Sequence, residues 1–326
     1  MRFMMLSRRD FIISLGTTAA ASSVPVKAIA RVLDPPLYLP VDLSYFRRPV
    51  TPAPALIRFG YAAITWNGND LQAITEISEL GFPGIQLRSN ILKDFGEKPA
   101  ALHHLLQQNH LEMVALSSGG VSIASSSEKD EIAKHVRNAR FVYEVGGHYL
   151  QVTDSARLKG RKPEVADFKQ LGRVLTEIGK QSADLGVPVG YHNHMSSLGE
   201  APDEVDRIME AADPRYVKLE LDIAHYQQGG GDPVVAIRRY RDRLLFLHIK
   251  DVESLVPVDE RGRAYRWVEL GRGRVDLPAV FVALKDVKYR GWAVIELDSV
   301  PDKAKTPKES AQINKRYVEE KLKMKI

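Results

Sequence analysis

Four short stretches of this chain hold imidazole and carboxylate groups at a density that suits metal or acid–base chemistry. They are Tyr191-His192-Asn193-His194, Glu220-Leu221-Asp222-Ile223-Ala224-His225, His248-Ile249-Lys250-Asp251 and Ile295-Glu296-Leu297-Asp298. The chain has no cysteine, which removes disulfides, thiolate ligands and cysteine nucleophiles, so any metal must be held by nitrogen and oxygen. A mixed set of His192, Asp222, His248 and Glu296 suits one divalent ion, Mn, Zn, Co or Fe(II) better than Ca, with Mg also admissible. Open positions on such an ion would take two oxygens of a substrate, polarise a carbonyl and stabilise an enediolate. Each residue also has a plainer explanation. A single inward histidine is more often a hydrogen-bonded core residue, Glu220 can pair with Lys218, and Asp298 can cap a turn. Four such positions at four successive strand ends outweigh these explanations together.

The elements that must position these residues are legible as a repeat. Strands are expected at Arg58–Ile64, Gly84–Arg88, Met113–Ser117, His148–Thr153, Val187–His194, Val217–Asp222, Leu244–Lys250 and Trp292–Asp298. Helices are expected near Leu71–Leu80, Ala100–Gln108, Lys129–Val145, Pro163–Leu185, Asp203–Ala212, Pro233–Tyr240, Leu277–Leu284 and Pro307–Lys323. Gly81, Gly146 and Gly186 each stand where a helix should stop before the next strand. Eight strand–helix units imply an α/β fold, a (β/α)8 TIM barrel in a single domain over residues 58–326. No G-x-G-x-x-G turn follows the first strand, which weakens a dinucleotide-binding open sheet.

The last strands alternate in an unusual way. Lys218, Glu220 and Asp222 share one face, as do His248 and Lys250, and Glu296 and Asp298, while apolar residues fill the opposite faces. A strand of period two turns one face to the helices and the other into the barrel. Ionisable groups therefore point inward, where an unpaired charge costs several kcal/mol. An ion or a substrate-lined cleft would remove that cost. Consecutive barrel strands place their tips around one rim, where barrel enzymes keep their active sites.

His194, His225 and Lys250 are the candidates for moving a proton, histidine being the default near neutral pH. Lys250, crowded beside His248 and a cation, is expected to have its pKa lowered and to serve as base or electrostatic clamp. Gln86 and Arg88 share an inward face on the second strand, with Arg88 available to an anionic or hydroxyl group. Trp66 follows the first strand and is placed either to stack on a sugar ring or simply to pack. The long connection from Val252 to Asp276 reads as a lid over the metal, with Glu269 and Arg272 as substrate contacts.

At these residues the chain resembles the sugar phosphate isomerase/epimerase family, the xylose isomerase-like barrels, over roughly Phe59 to Leu322. That family includes ketose 3-epimerases, inosose dehydratase and dehydroshikimate dehydratase. The resemblance is strongest through YHNH, LELDIAH, HIKD, the segment Gly271-Arg272-Gly273-Arg274-Val275-Asp276, and VIELD. It implies that the last four strands give a Glu, an Asp, a His and a Glu to one metal, the Asp matching Asp222, the His His248 and the final Glu Glu296. His192 stands where the first Glu is expected. In the epimerases the two metal-bound glutamates also move the proton, so Glu296 is implied as catalytic, while a symmetrical two-carboxylate mechanism lacks one partner here. The resemblance implies a metal-dependent isomerase or epimerase acting on a keto sugar or cyclic polyol ketone. A lyase that loses a β-substituent from the same enolate is the alternative, and a non-catalytic sugar-binding barrel is a third.

The chain carries 46 basic and 41 acidic residues, a formal net charge of +5. Residues 1–30 hold Arg2, Arg8, Arg9 and Lys27 against Asp10, so the remainder has 42 basic and 40 acidic groups, a net of +2. A nearly neutral body excludes a nucleic-acid partner, which demands clustered cations. The start, Ser7-Arg8-Arg9-Asp10-Phe11-Ile12, an apolar stretch to Val24 and Ala28-Ile29-Ala30, has the pattern of a secretory signal of the twin-arginine type. Cleavage after Ala30, use of the twin-arginine export machinery and a periplasmic location are expected. Pro35, Pro36, Pro40, Pro49, Pro52 and Pro54 make residues 31–57 a linker rather than a regular element. The partner expected is a small carbohydrate, and self-association into an oligomer is compatible with this sequence.

Overall fold

A computed structural model describes residues 57–155, 161–260 and 262–326. The chain divides into Met1–Pro54 and a compact unit, Ala55–Ile326. The expected signal and most of the proline-rich linker lie outside the described residues.

Eight parallel strands close into a barrel: β1 (Ile57–Ala62), β2 (Gly84–Arg88), β3 (Glu112–Val121), β4 (Tyr149–Asp154), β5 (Val189–His192), β6 (Val217–Asp222), β7 (Leu244–Ile249) and, last in the chain, β10 (Gly291–Ile295), which pairs with both β1 and β7. The helices of the outer layer are α1 (Asp70–Glu79), the short α2 (Leu92–Phe95), α3 (Pro99–Gln108), α4 (Glu128–Val145), α5 (Val165–Ala183), α6 (Pro202–Ala211), α7 (Ile223–Gln228), α8 (Pro233–Arg239), α9 (Leu277–Asp286) and α10 (Pro307–Arg316). The helix-stop glycines act as expected, with Gly81, Gly146 and Gly186 at φ of 80°, 78° and 75°. Thr306 and Glu309 form a reciprocal cap at the start of α10: the Glu309 N–H donates to Thr306 Oγ1, and the Thr306 N–H to Glu309 Oε2 at 2.7 Å.

Several element ends shift from the sequence expectation, the last barrel strand stopping at Ile295 rather than Asp298 and β3 running on to Val121, and two differences bear on the site. β5 stops at His192 rather than His194, because the Asn193 side chain takes over its pairing: Nδ2 donates to Asp222 O at 3.1 Å and Oδ1 accepts the Asp222 N–H at 3.0 Å. A side chain that imitates a peptide group ends the strand and frees His194 to turn away. The long connection after β7 is not a bare loop. It contains an antiparallel ribbon, β8 (Asp251–Ser254) and β9 (Tyr265–Val268).

The barrel interior is layered. Ala62, Val114, Ala115, Phe246, Trp292 and Val294 form an apolar cluster separate from the main core between strands and helices. Phe246 and Trp292 lie one alternation below His248 and two below Glu296, with Tyr149 stacked on Phe246 at 5.4 Å. Gly84 is required here, since a Cβ would come within 2.4 Å of the Trp292 ring. The lower end is thus plugged by rings, and the ionisable side chains lie above them.

Candidate metal and proton-transfer site

Asp222 ends β6 and caps α7. Its Oδ1 accepts the N–H groups of Ala224 at 2.9 Å and His225 at 2.8 Å, which leaves Oδ2 directed into the barrel. His248 on β7 is fully buried, with Nδ1 3.5 Å from Asp222 Oδ2, 3.4 Å from Glu296 Oε2 and 3.3 Å from Glu220 Oε1. On the other edge of its ring, Nε2 lies 2.8 Å from Gln86 Oε1, Gln86 Nε2 donates to Gln151 Oε1 at 2.7 Å, and Gln151 Nε2 donates to Glu220 Oε2 at 3.1 Å. Because the amides run in one direction, His248 carries its hydrogen on Nε2, and Nδ1 is the atom offered to the carboxylates.

Burial alone would push the His248 imidazole down, but Glu220 and Glu296 outweigh it and hold it well above its ordinary value. For Glu296, burial pushes up, and His248 and Lys250 bring the carboxyl well below the usual range. His192 Nδ1, Glu220 Oε1, Asp222 Oδ2 and His248 Nδ1 are buried without a hydrogen-bond partner. Orphaned donors and acceptors in one cluster are the condition a cation relieves. Ligand atoms of Asp222, His248 and Glu296 all lie within 4.8 Å of one another. Their 3.4–3.5 Å edges at His248 match the roughly 3.3 Å separation of ligands around an ion with bonds of about 2.0–2.2 Å. The residues present fit a divalent metal.

The sequence expectation placed His192, Asp222, His248 and Glu296 on one point. The structure gathers the last three, while His192 joins a neighbouring group with Glu220 and His248, and another with His194 and His225. Glu220 is therefore not a partner of Lys218, whose Nζ donates to Pro214 O at 2.8 Å at the lower end of β6.

Lys250 is fully buried, 3.0 Å from Glu296 Oε1, 3.9 Å from Asp222 Oδ2 and in direct contact with Asp298. Burial favours the neutral amine, but Asp298, Glu296 and Asp222 together exceed it, so the Lys250 pKa is raised, not lowered as expected from its neighbours in sequence. Asp298 is the counter-ion, not a turn cap.

His225 Nδ1 accepts the Met195 N–H at 3.0 Å, which puts the ring hydrogen on Nε2, 3.9 Å from Asp222 Oδ2. His194 is half-buried, and its Nδ1 donates to Met195 O at 2.6 Å, leaving Nε2 bare. Burial and the nearby Lys250 charge keep His225 well below its ordinary value. Burial, His192 and Lys250 lower His194.

Other expected contacts lie elsewhere. Trp66 is buried, its Nε1 donating to Glu76 at 2.6 Å and its ring edge-on to Tyr61, so it packs and presents no face to a sugar. Arg88 is exposed at the end of β2, near Asp70. Gln86 works inside the barrel as the His248 partner. Glu269 is buried against Ser310 Oγ at 3.2 Å and Arg272 at 3.1 Å, so these two expected substrate contacts hold each other. The aromatic over the cluster is Trp267 of β9, with Lys250 Nζ 4.5 Å from its ring and the His225 ring at 4.4 Å. Part of the expected lid therefore covers the site. Glu220, Gln151, Asp298 and Trp267 were missed. The inward alternation marks Glu220 and Asp298, whereas nothing in the sequence marks Gln151 or Trp267.

The family model for the xylose isomerase-like TIM barrel matches residues 74–317. The chain belongs to that family. Among its relatives, inosose dehydratase of Lacticaseibacillus casei is 26% identical over 294 residues, covering 81% of this chain and 96% of that protein. Two solved members of this fold align closely. One is the IOLI protein with a bound zinc atom (TM-score 0.66, 19% identity, 80% of this chain and 96% of that one). The other is D-allulose 3-epimerase from Methylomonas sp. (TM-score 0.64, 18% identity, 81% and 97%).

Proposed function

We propose that this chain is a divalent-metal-dependent lyase that removes water from a cyclic or open polyhydroxy ketone. The observation that carries the reading is the convergence of Asp222 Oδ2, His248 Nδ1 and Glu296 Oε2 beside the buried Lys250 ammonium. Asp222, His248 and Glu296 would hold the ion, which supplies Lewis acidity to substrate oxygens. Lys250, kept charged by Asp298 and Glu296, neutralises negative charge that develops on the substrate as its proton leaves. His225 Nε2 faces Lys250 Nζ at 3.3 Å inside the cluster, so His194, half-buried with a bare Nε2, is the ring able to accept from a substrate hydroxyl. Trp267 excludes water above them. The dehydratase relatives support loss of water, since they match along nearly their whole length.

Isomerisation or epimerisation of a keto sugar starts from the same enolate. The fit of Asp222, Glu296 and His248 to the ligand types of that family favours it as the second reading. Incubation of the metal-loaded protein with inosose and with keto hexoses in deuterated water separates them. Dehydration yields a product lighter by one water, whereas isomerisation yields an isomer of unchanged composition apart from solvent deuterium. A product of unchanged composition would sink the lyase reading.

We further propose export through the twin-arginine route, on the strength of Arg8-Arg9, the apolar stretch and Ala28-Ile29-Ala30. Mature protein in a periplasmic fraction should begin at Arg31 by intact mass, and a chain retaining Met1 there would overturn it.

A further inference from the structure

We infer that the end of the barrel opposite the metal site carries a second binding site, a groove that takes a single-chain fatty acid. Ile57 and Gly291 open β1 and β10 side by side, at the strand ends remote from Asp222, which closes β6. A groove of about 640 Å³ lies there, between α9 and the segment Lys321–Ile326. Ile57, Phe281, Val282, Leu322 and Met324 line its apolar floor. Nothing in the proposed reaction uses it.

The walls are cationic, and local sequence makes them so. Lys321-Leu322-Lys323-Met324-Lys325-Ile326 alternates strictly: its Leu, Met and Ile are half-buried against the core, and its lysines are exposed. On the other side Val282 and Lys285 stand three residues apart on α9 and so share a face, and Lys288 follows in the turn before β10. Lys285, Lys288, Lys321 and Lys325 all border the groove. None of the four has a carboxylate partner among the described residues. The nearby acids are engaged elsewhere, Asp286 with Arg238 at 3.3 Å and Glu319 with Lys315 at 3.7 Å. Lysine stems often cover apolar surface themselves. Here they leave Val282 56% exposed between them, an apolar surface that water meets unless a ligand covers it.

The volume is that of a small-molecule site. A ligand that matches both floor and walls has an apolar body and one anionic end. A phosphorylated sugar would bring hydroxyls onto a floor with nothing to pair them, since the hydroxyl of Tyr289, which also lines the groove, is taken up by Trp292 O at 2.9 Å. A fatty acid brings a carboxylate to the lysines and a run of methylenes to the floor. Each buried methylene strengthens binding about 4-fold.

Calorimetric titration of the full chain with monomeric laurate at low salt tests this. Laurate should bind once per chain, and decanoate, two methylenes shorter, about 10-fold more weakly. Lys285→Gln combined with Lys321→Gln should weaken laurate about 5-fold, as added salt should, while binding of the uncharged decanol stays unchanged. Val282→Asp sets a carboxylate on the floor and should abolish saturable laurate binding, with an unchanged Tm showing that this exposed position leaves the fold intact. If that variant loses its fold, the lysine pair decides. A parent chain without saturable laurate binding overturns the inference. So does laurate binding that survives Val282→Asp at unchanged Tm, or that ignores the lysine changes. A parent that passes laurate by yet sediments with phosphatidylglycerol vesicles, or forms a dimer that Val282→Asp dissociates, gives the groove to a membrane or a second copy and equally defeats the fatty-acid site.

Discussion

Lys250 shows what a single residue means once its surroundings are known. In sequence it stands beside His248, which suggested a depressed pKa. In the fold it meets Asp298, Glu296 and Asp222, and the sum of three carboxylates exceeds the cost of burial. A charged lysine there serves as a clamp. Lys250→Met, similar in length but uncharged, should lower kcat by at least about 100-fold, an order typical of lost electrostatic stabilisation. Removing a cation next to Glu296 should at the same time tighten metal binding, so a titration with cobalt checks the second half. Unchanged turnover, or weaker cobalt binding, would contradict this role.

At the scale of elements, the turn after β9 depends on one buried carboxylate. Asp251 Oδ2 accepts the N–H groups of Gly271 and Gly273 at 2.9 Å each, and Oδ1 accepts those of Val252 at 2.9 Å and Val275 at 3.1 Å. Gly273 has no alternative, because a Cβ would lie 2.2 Å from Asp251 Oδ1. The motif Gly271-Arg272-Gly273-Arg274-Val275-Asp276 is thus a folded cradle for Asp251, ending in Asp276 as the cap of α9, whose Oδ1 accepts the Ala279 N–H at 3.0 Å. Asp251→Ala should cost about 3 kcal/mol, since several charge-assisted bonds are lost at once. Urea denaturation measures that loss, and a change below about 1 kcal/mol would show that the cradle holds without its carboxylate.

Two predictions concern the whole molecule. The orphaned atoms of His192, Glu220, Asp222 and His248 make the metal-free barrel less stable than the loaded one. An ion at 100 times its Kd adds about 2.7 kcal/mol, so chelation should lower Tm by several degrees in calorimetry. Acid acts through a different group. Burial, aided by Lys134, pushes His135 on α4 down to about 4, and its Nδ1 lies 2.6 Å from Ser118 Oγ. The unfolded chain takes that proton near pH 6.5 and the folded one only near 4. Stability is therefore complete above pH 6.5, falls as pH drops through that window and levels off below 4, with a loss of about 3 kcal/mol. His135→Asn should flatten the dependence between pH 7 and 4.5 in denaturant titrations. An unaltered slope would exclude His135 as its source.

Much of this molecule is determined locally. The eight-unit repeat, the helix stops at Gly81, Gly146 and Gly186, and the inward alternation of Glu220, Asp222, His248, Lys250, Glu296 and Asp298 follow from periods and propensities that neighbours along the chain set. So does the presence of ligand-type residues at successive strand tips, which is why most of the site was legible. What the chain could not show in one dimension is which inward group meets which. Strand register puts Glu220 beside His192 and away from Lys218, and brings Asp298 to Lys250 across 48 residues of sequence. Trp66 and Trp267 look alike as letters, yet one is buried against Tyr61 and the other is laid over Lys250 by a ribbon. Proton positions and charge states depend on distances of 2.5–4 Å between elements remote in sequence, and only closure of the barrel sets those distances.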